Sequence, residues 1–128
     1  MTDSNTILRD FDWNEPVEIQ NDALQRSLQV EDISIFIQPH TDEYNKNVWE
    51  NCAKALAMRS DSELEKHLIP LLEWLQDMNW PGAEIIAERL NSFSDKTILK
   101  ASFDICVSKA LFSNDEDWLY WLNKKISM

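Results

Sequence analysis

Ser60-Asp-Ser-Glu-Leu-Glu-Lys-His-Leu-Ile-Pro-Leu-Leu-Glu-Trp-Leu-Gln-Asp-Met-Asn-Trp-Pro-Gly82 decides the fold class. Its first four residues form a capping box, in which the Ser60 hydroxyl can accept from the Glu63 amide while the Glu63 carboxylate returns to the Ser60 amide. A helix therefore begins there. Leu64, Leu68, Leu71, Leu72 and Leu75 recur at helical spacing and form one apolar stripe. Pro70 falls inside that stripe and removes a backbone donor, which predicts a kink or short break. Asn79-Trp-Pro-Gly82 stops the helix, and Pro81 is expected to open the next one.

The same grammar extends in both directions. Downstream, Ala83, Ile86, Ala87 and Leu90 predict a helix. Ser94 or Asp95 caps another, with Leu99, Phe103, Cys106, Val107 and Ala110 turned inward. Ser113-Asn-Asp-Glu116 reads as a second capping box. The helix after it carries Trp118, Leu119, Trp121, Leu122 and Ile126, and Lys124 and Lys125 suit its C-terminal dipole. Upstream, Val48, Cys52, Ala55 and Leu56 share a helical face, and residues 39–46 read as a loop. Ile33, Ile35 and Ile37 alternate like a strand, but Val30, Ile33 and Phe36 also fit a helix. No second strand is in sight, so a short helix is preferred. Pro16–Leu28 predicts a helix, and residues 1–15 a lead-in arm with Phe11 and Trp13 at its end. Lys54-Ala-Leu56 before one capping box and Lys109-Ala-Leu111 before the other suggest stacked helix pairs, as in an α-solenoid.

Composition narrows the function classes. Gly occurs once in 128 residues, which disfavours tight β-hairpins and glycine-rich phosphate loops. Cys52 and Cys106 are too few for a disulfide framework and read as buried thiols. No run approaches the roughly 20 apolar residues of a membrane span, and the polar, acidic start does not read as a signal peptide. A cytoplasmic protein is expected. The net charge is −11, and residues 1–50 hold 11 acidic and three basic side chains against 12 and nine in the rest. Such a chain repels nucleic acid; the acidic excess suits a basic protein partner or, equally, serves solubility alone. His40 and His67 lack zinc-ligand spacing, and Asn114-Asp-Glu-Asp117 lacks the pattern of a calcium loop, so no metal or other cofactor is expected. No nucleophile motif is present, and the expectation is a protein that is not an enzyme. Trp74, Asp77, Asn79 and Trp80 have two readings: a helix end whose polar groups are locally satisfied, or a recognition corner.

Leu71–Ala83, LLEWLQDMNWPGA, closely resembles the signature of a bacterial domain-of-unknown-function family, number 5071 in that series. Asp115-Glu-Asp-Trp-Leu-Tyr-Trp121 matches its acidic-tryptophan helix more loosely. The resemblance spans roughly residues 45–126. It implies an all-α, HEAT-like helical-repeat bundle, here of about five to seven helices. Residues 1–128 would be one domain, with 1–44 an acidic extension of one or two helices and 45–128 the helical core. The resemblance brings no catalytic residues, and small proteins of this sort look like immunity proteins encoded beside secreted toxins. The expected function is thus direct binding of a cognate toxin, for instance a basic nuclease, in the manner of contact-dependent growth inhibition; the alternative is a helical scaffold or adaptor. Asp10, Asp12, Glu15, Asp42 and Glu43 would steer and contact the partner, with Asp77, Asn79 and Trp80 as further contacts.

Overall fold

Residues 4–39 and 46–127 are described by a computed structural model. The capping box at Ser60 forms as read, with Glu63 N donating to Ser60 Oγ (3.3 Å) and Ser60 N to Glu63 Oε1 (3.1 Å). The resulting rod is interrupted where Pro70 requires it. Its first piece, Asp61–Leu64, passes through a 3-10 turn at Glu65–His67 before helix resumes at Leu68–Glu73. Pro70 has no N–H to donate to the Lys66 carbonyl, so the ladder yields there. The elements in chain order are α1 (Ser4–Asp10), α2 (Val17–Ser27), α3 (Trp49–Ala57), α4 (Asp61–Leu64), α5 (Leu68–Glu73), α6 (Ala83–Asn91), α7 (Lys96–Phe112) and α8 (Glu116–Lys125). Short 3-10 turns stand at Ile33–Phe36, Lys46–Val48, Glu65–His67 and Trp74–Gln76. There is no strand among the described residues, and the chain is an all-α helical bundle.

Packing joins chain neighbours at both ends and brings α6 back onto α3 in the middle. α1 lies on α2, α2 on α3, α3 on α6, α5 on α6 and α7, and α7 on α8. One continuous core runs from Ile7 and Phe11 through Phe36, Leu56 and Trp74 to Leu99 and Leu122. Polar staples fasten the ends of this array. Arg59, itself buried, donates from Nη2 to the carbonyls of Ser27 and Val30, each at 2.6 Å, and from Nη1 to Glu63. Asn51 Nδ2 donates to the Phe11 carbonyl (2.7 Å) and to Gln20 Oε1 (2.8 Å). At the other end, Asn91 Nδ2 donates to the Lys125 carbonyl and Asn91 Oδ1 accepts from Ser127 N.

Four expectations need adjustment. The lead-in arm contains a helix, α1, whose Ile7, Leu8 and the following Phe11 are buried against the core. Residues 30–37 are helical as preferred, though only as the 3-10 turn capped by Asp32. Pro81 does not open α6. Gly82, at φ 86°, is the N-cap, and α6 begins at Ala83. The second capping box does not form. Ser113 closes α7, Asn114 turns left-handed (φ 56°), Asp115 N donates to the Ala110 carbonyl, and the Asp115 carboxylate caps α8 by accepting from Trp118 N. Asn tolerates the left-handed region, so the reversal falls at residue 114 and moves the cap two residues on, to Asp115. Of the loop expected at 39–46, residues 40–45 lie outside the described residues.

Candidate protein-binding surface

α7 carries the most conspicuous surface. Asp95 caps it by accepting from the amides of Thr97 and Ile98, and 17 residues of helix follow. Leu99, Phe103, Cys106 and Ala110 face the core. The opposite side is not polar, as it would be on an ordinary surface helix. Ala101, Ile105, Ser108 and Phe112 stand there at spacings of four, three and four, and all are exposed. Ile105 is 49% and Phe112 92% accessible. Leaving a Phe in water forgoes about 1.5–3 kcal/mol of burial. Beside this stripe runs an open groove of about 810 Å³, with Glu73 and Gln76 on one wall, Ile105, Ser108 and Phe112 on the other, and Trp118 at its base. Trp118 is fixed there because its indole Nε1 donates to the Leu72 carbonyl at 3.1 Å.

The charges along the rim are paired, and the acidic surplus lies at one end. Lys109 Nζ donates to Glu73 at 2.8 Å, and this bond raises the lysine pKa above its ordinary value, so the ammonium stays charged. Lys100 is held by Asp104 at 2.7 Å. Past Phe112 the acidic turn Asp115-Glu-Asp117 follows, and Ser113 lines both the apolar groove and the small polar hollow of that turn. The two thiols of the core take no part. Burial pushes Cys52 up to about 12 and Cys106 up to about 11, which keeps both protonated at neutral pH.

The residues singled out from sequence lie elsewhere. Asp10 is buried, held by Arg26 at 2.6 Å and Arg9 at 3.2 Å, so its charge is internally matched. The Asp12 carboxylate accepts from Asn14 N (2.8 Å), and the Glu15 carbonyl accepts from Gln20 Nε2 (2.7 Å). Asp42 and Glu43 lie outside the described residues. Asp77 folds back to accept from Asn79 N (2.9 Å), while Asn79 is exposed. Trp80 is half-buried, edge-on to Trp49 with ring centroids 5.5 Å apart, and Lys46 Nζ lies 6.0 Å from its ring centroid. Trp13 N donates to the Asn47 carbonyl beside that lysine. The structure thus brings Asp12–Glu15 and Asp77–Trp80 toward one corner around Lys46–Trp49. Trp74 is fully buried, and its Nε1 donates to the Pro81 carbonyl (3.0 Å), so packing explains it.

The α7 face escaped the sequence reading, although a signal was present. Ile98, Ile105, Leu111 and Phe112 are apolar residues left over once the inward set of α7 is assigned. A helix apolar on both sides needs a second neighbour. Among the described residues no group of three His, Cys, Asp or Glu side chains is placed to hold a metal ion. None of the described helices is long and apolar enough to cross a membrane. No curated protein and no solved structure matches this chain. A family model does match, over residues 44–128, and by that match the chain belongs to the family described as Domain of unknown function (DUF5071).

Proposed function

We propose that this protein is a non-catalytic, cytoplasmic binding domain, and specifically an immunity protein that neutralises a cognate bacterial toxin by covering it. The observation that carries the reading is the outer face of α7, where Ile105 and Phe112 stand exposed among paired charges with the acidic Asp115–Asp117 turn at one end. Exposed apolar side chains framed by charge are the usual anatomy of a docking surface. The net charge of −11 supports a basic partner. Nucleases that grip phosphates have such basic surfaces, and an acidic domain seated on one would block substrate and speed its own encounter.

Growth rescue tests this directly. Toxin domains encoded next to the gene are expressed in a sensitive bacterium with and without this protein. Rescue and a one-to-one complex are expected, and Phe112→Ser is expected to weaken both while leaving the fold intact. Absence of rescue against every neighbouring toxin domain would overturn the immunity reading. A second reading, a helical adaptor, draws on a separate feature: Trp13, Val17 and Ile19 are also exposed, near the start of α2. An adaptor joins two proteins at once, so a ternary complex using both faces would favour it.

A further inference from the structure

From the shape and charge of the α7 groove we infer that it takes an amphipathic helix of a basic protein, with the helix's lysines or arginines set over the Asp115–Asp117 turn. The inference rests on the protein-binding reading above and specifies its occupant. Shape is the first argument. Along the stripe, small Ala101 and Ser108 alternate with large Ile105 and Phe112. Small positions between large ones give the ridges and hollows into which a second helix packs at close range. From Ala101 to Phe112 the stripe is about 16 Å long at 1.5 Å per residue, which matches three turns of a partner helix. Such helices present apolar anchors at positions i, i+4 and i+7.

Charge is the second. The charges at the groove itself cancel in pairs, Lys109 with Glu73 and Lys100 with Asp104, so the unpaired charge is what stands at its end. The exposed carboxylates of Glu116 and Asp117 stand at the Phe112 end, next to the groove through Ser113. A second copy of the chain would bring another −11 to the contact and would find no uncommitted lysine there. An acidic helix would be repelled for the same reason. A basic one gains attraction at the acidic end and burial along the stripe.

The probe is a synthetic helical peptide with leucines at every third or fourth position and lysines grouped at one end. It is titrated into the full chain while backbone amide shifts are followed. Shifts are expected at Ile105, Ser108, Phe112, Ser113 and Glu116. Phe112→Ala should weaken binding about tenfold with the rest of the spectrum unchanged, and added salt should weaken it further. A peptide with glutamates in place of the lysines should not bind. Equal binding of that peptide would overturn the inference, as would shifts confined to the Trp13–Trp80 corner. So would dilution-dependent shifts in the free protein that Phe112→Ala abolishes, since they would make a second copy the occupant. The peptide is not a toxin, so failed growth rescue leaves this result standing, and a failed titration leaves rescue standing.

Discussion

Gly82, in the turn between α5 and α6, has no room for a side chain. Its φ is 86°, and a Cβ placed on it would lie 2.7 Å from Ala53 Cβ and 3.0 Å from the Trp49 carbonyl oxygen. Gly82→Ala is therefore expected to cost about 3 kcal/mol, combining roughly 1–2 for left-handed backbone and 1–3 for overpacking. Urea unfolding measures it, and a loss under about 1 kcal/mol would show that the turn can relax. Ala53→Gly in the same chain should recover part of the steric cost, the close approach of the Trp49 carbonyl remaining, as a double-mutant cycle reports. The sequence makes this residue conspicuous as the lone Gly, and a turn at 79–82 could be read from it. That α3 presses against the turn could not, because the contact spans some 30 positions. Asp10 teaches the converse. Its acidity is plain in the sequence, but its pairing with Arg26, 16 positions away, is visible only in three dimensions, and with Arg9 it removes the carboxylate from the free charge of the surface.

Among the elements, α4 and the joint it makes with α6 carry a pH dependence. Asp61, in the first turn of α4, accepts from Ser94 N and Oγ and from Arg89 Nη2. The Ser94 bonds chiefly, with Arg89, hold its carboxyl down at about 2 from an ordinary 3.8. The folded chain thus binds this proton less readily than the unfolded one. Its contribution is complete above about pH 4 and is lost as the pH falls toward 2. Wild type and Asp61→Asn compared by urea unfolding should differ by a constant amount from pH 7 to about 4 and converge below; a gap that persists at pH 2 would contradict this. Helix starts of this kind were legible where a side-chain cap follows local rules, as at Ser60 and Asp95. The start of α8 was misread because Asn114 offered a left-handed reversal that moved the cap from Ser113 to Asp115. α1 stayed hidden because its seven residues supply little more than one apolar turn, and the helix exists through tertiary packing of Ile7 and Leu8.

At the scale of the whole molecule, Arg59 joins the N-terminal helices to the rest. Its guanidinium donates to the carbonyl of the last residue of α2, Ser27, and to that of Val30 just past it. Arg59→Leu should leave the Val30 carbonyl without its donor and the Ser27 carbonyl with Val30 N alone, at a cost of about 1–3 kcal/mol. Hydrogen exchange should quicken across α2 and the Ile33–Phe36 turn while α7 and α8 keep their protection; uniform acceleration over all helices would mean that the chain opens as one unit. The all-helical architecture was readable from period, caps and scarce glycine. The candidate binding face was not, because exposure of an apolar residue depends on which neighbours the fold places over it, and α7 carries apolar residues on both sides. That double-sided character has a consequence for inheritance. Leu99, Phe103, Cys106 and Ala110 answer to the chain's own interior, whereas Ala101, Ile105, Ser108 and Phe112 answer to whatever lies outside. A lineage that exchanged one partner for another could rewrite the second set and the acidic turn beside it while the first set stood still, so α7 can drift on one side and be fixed on the other.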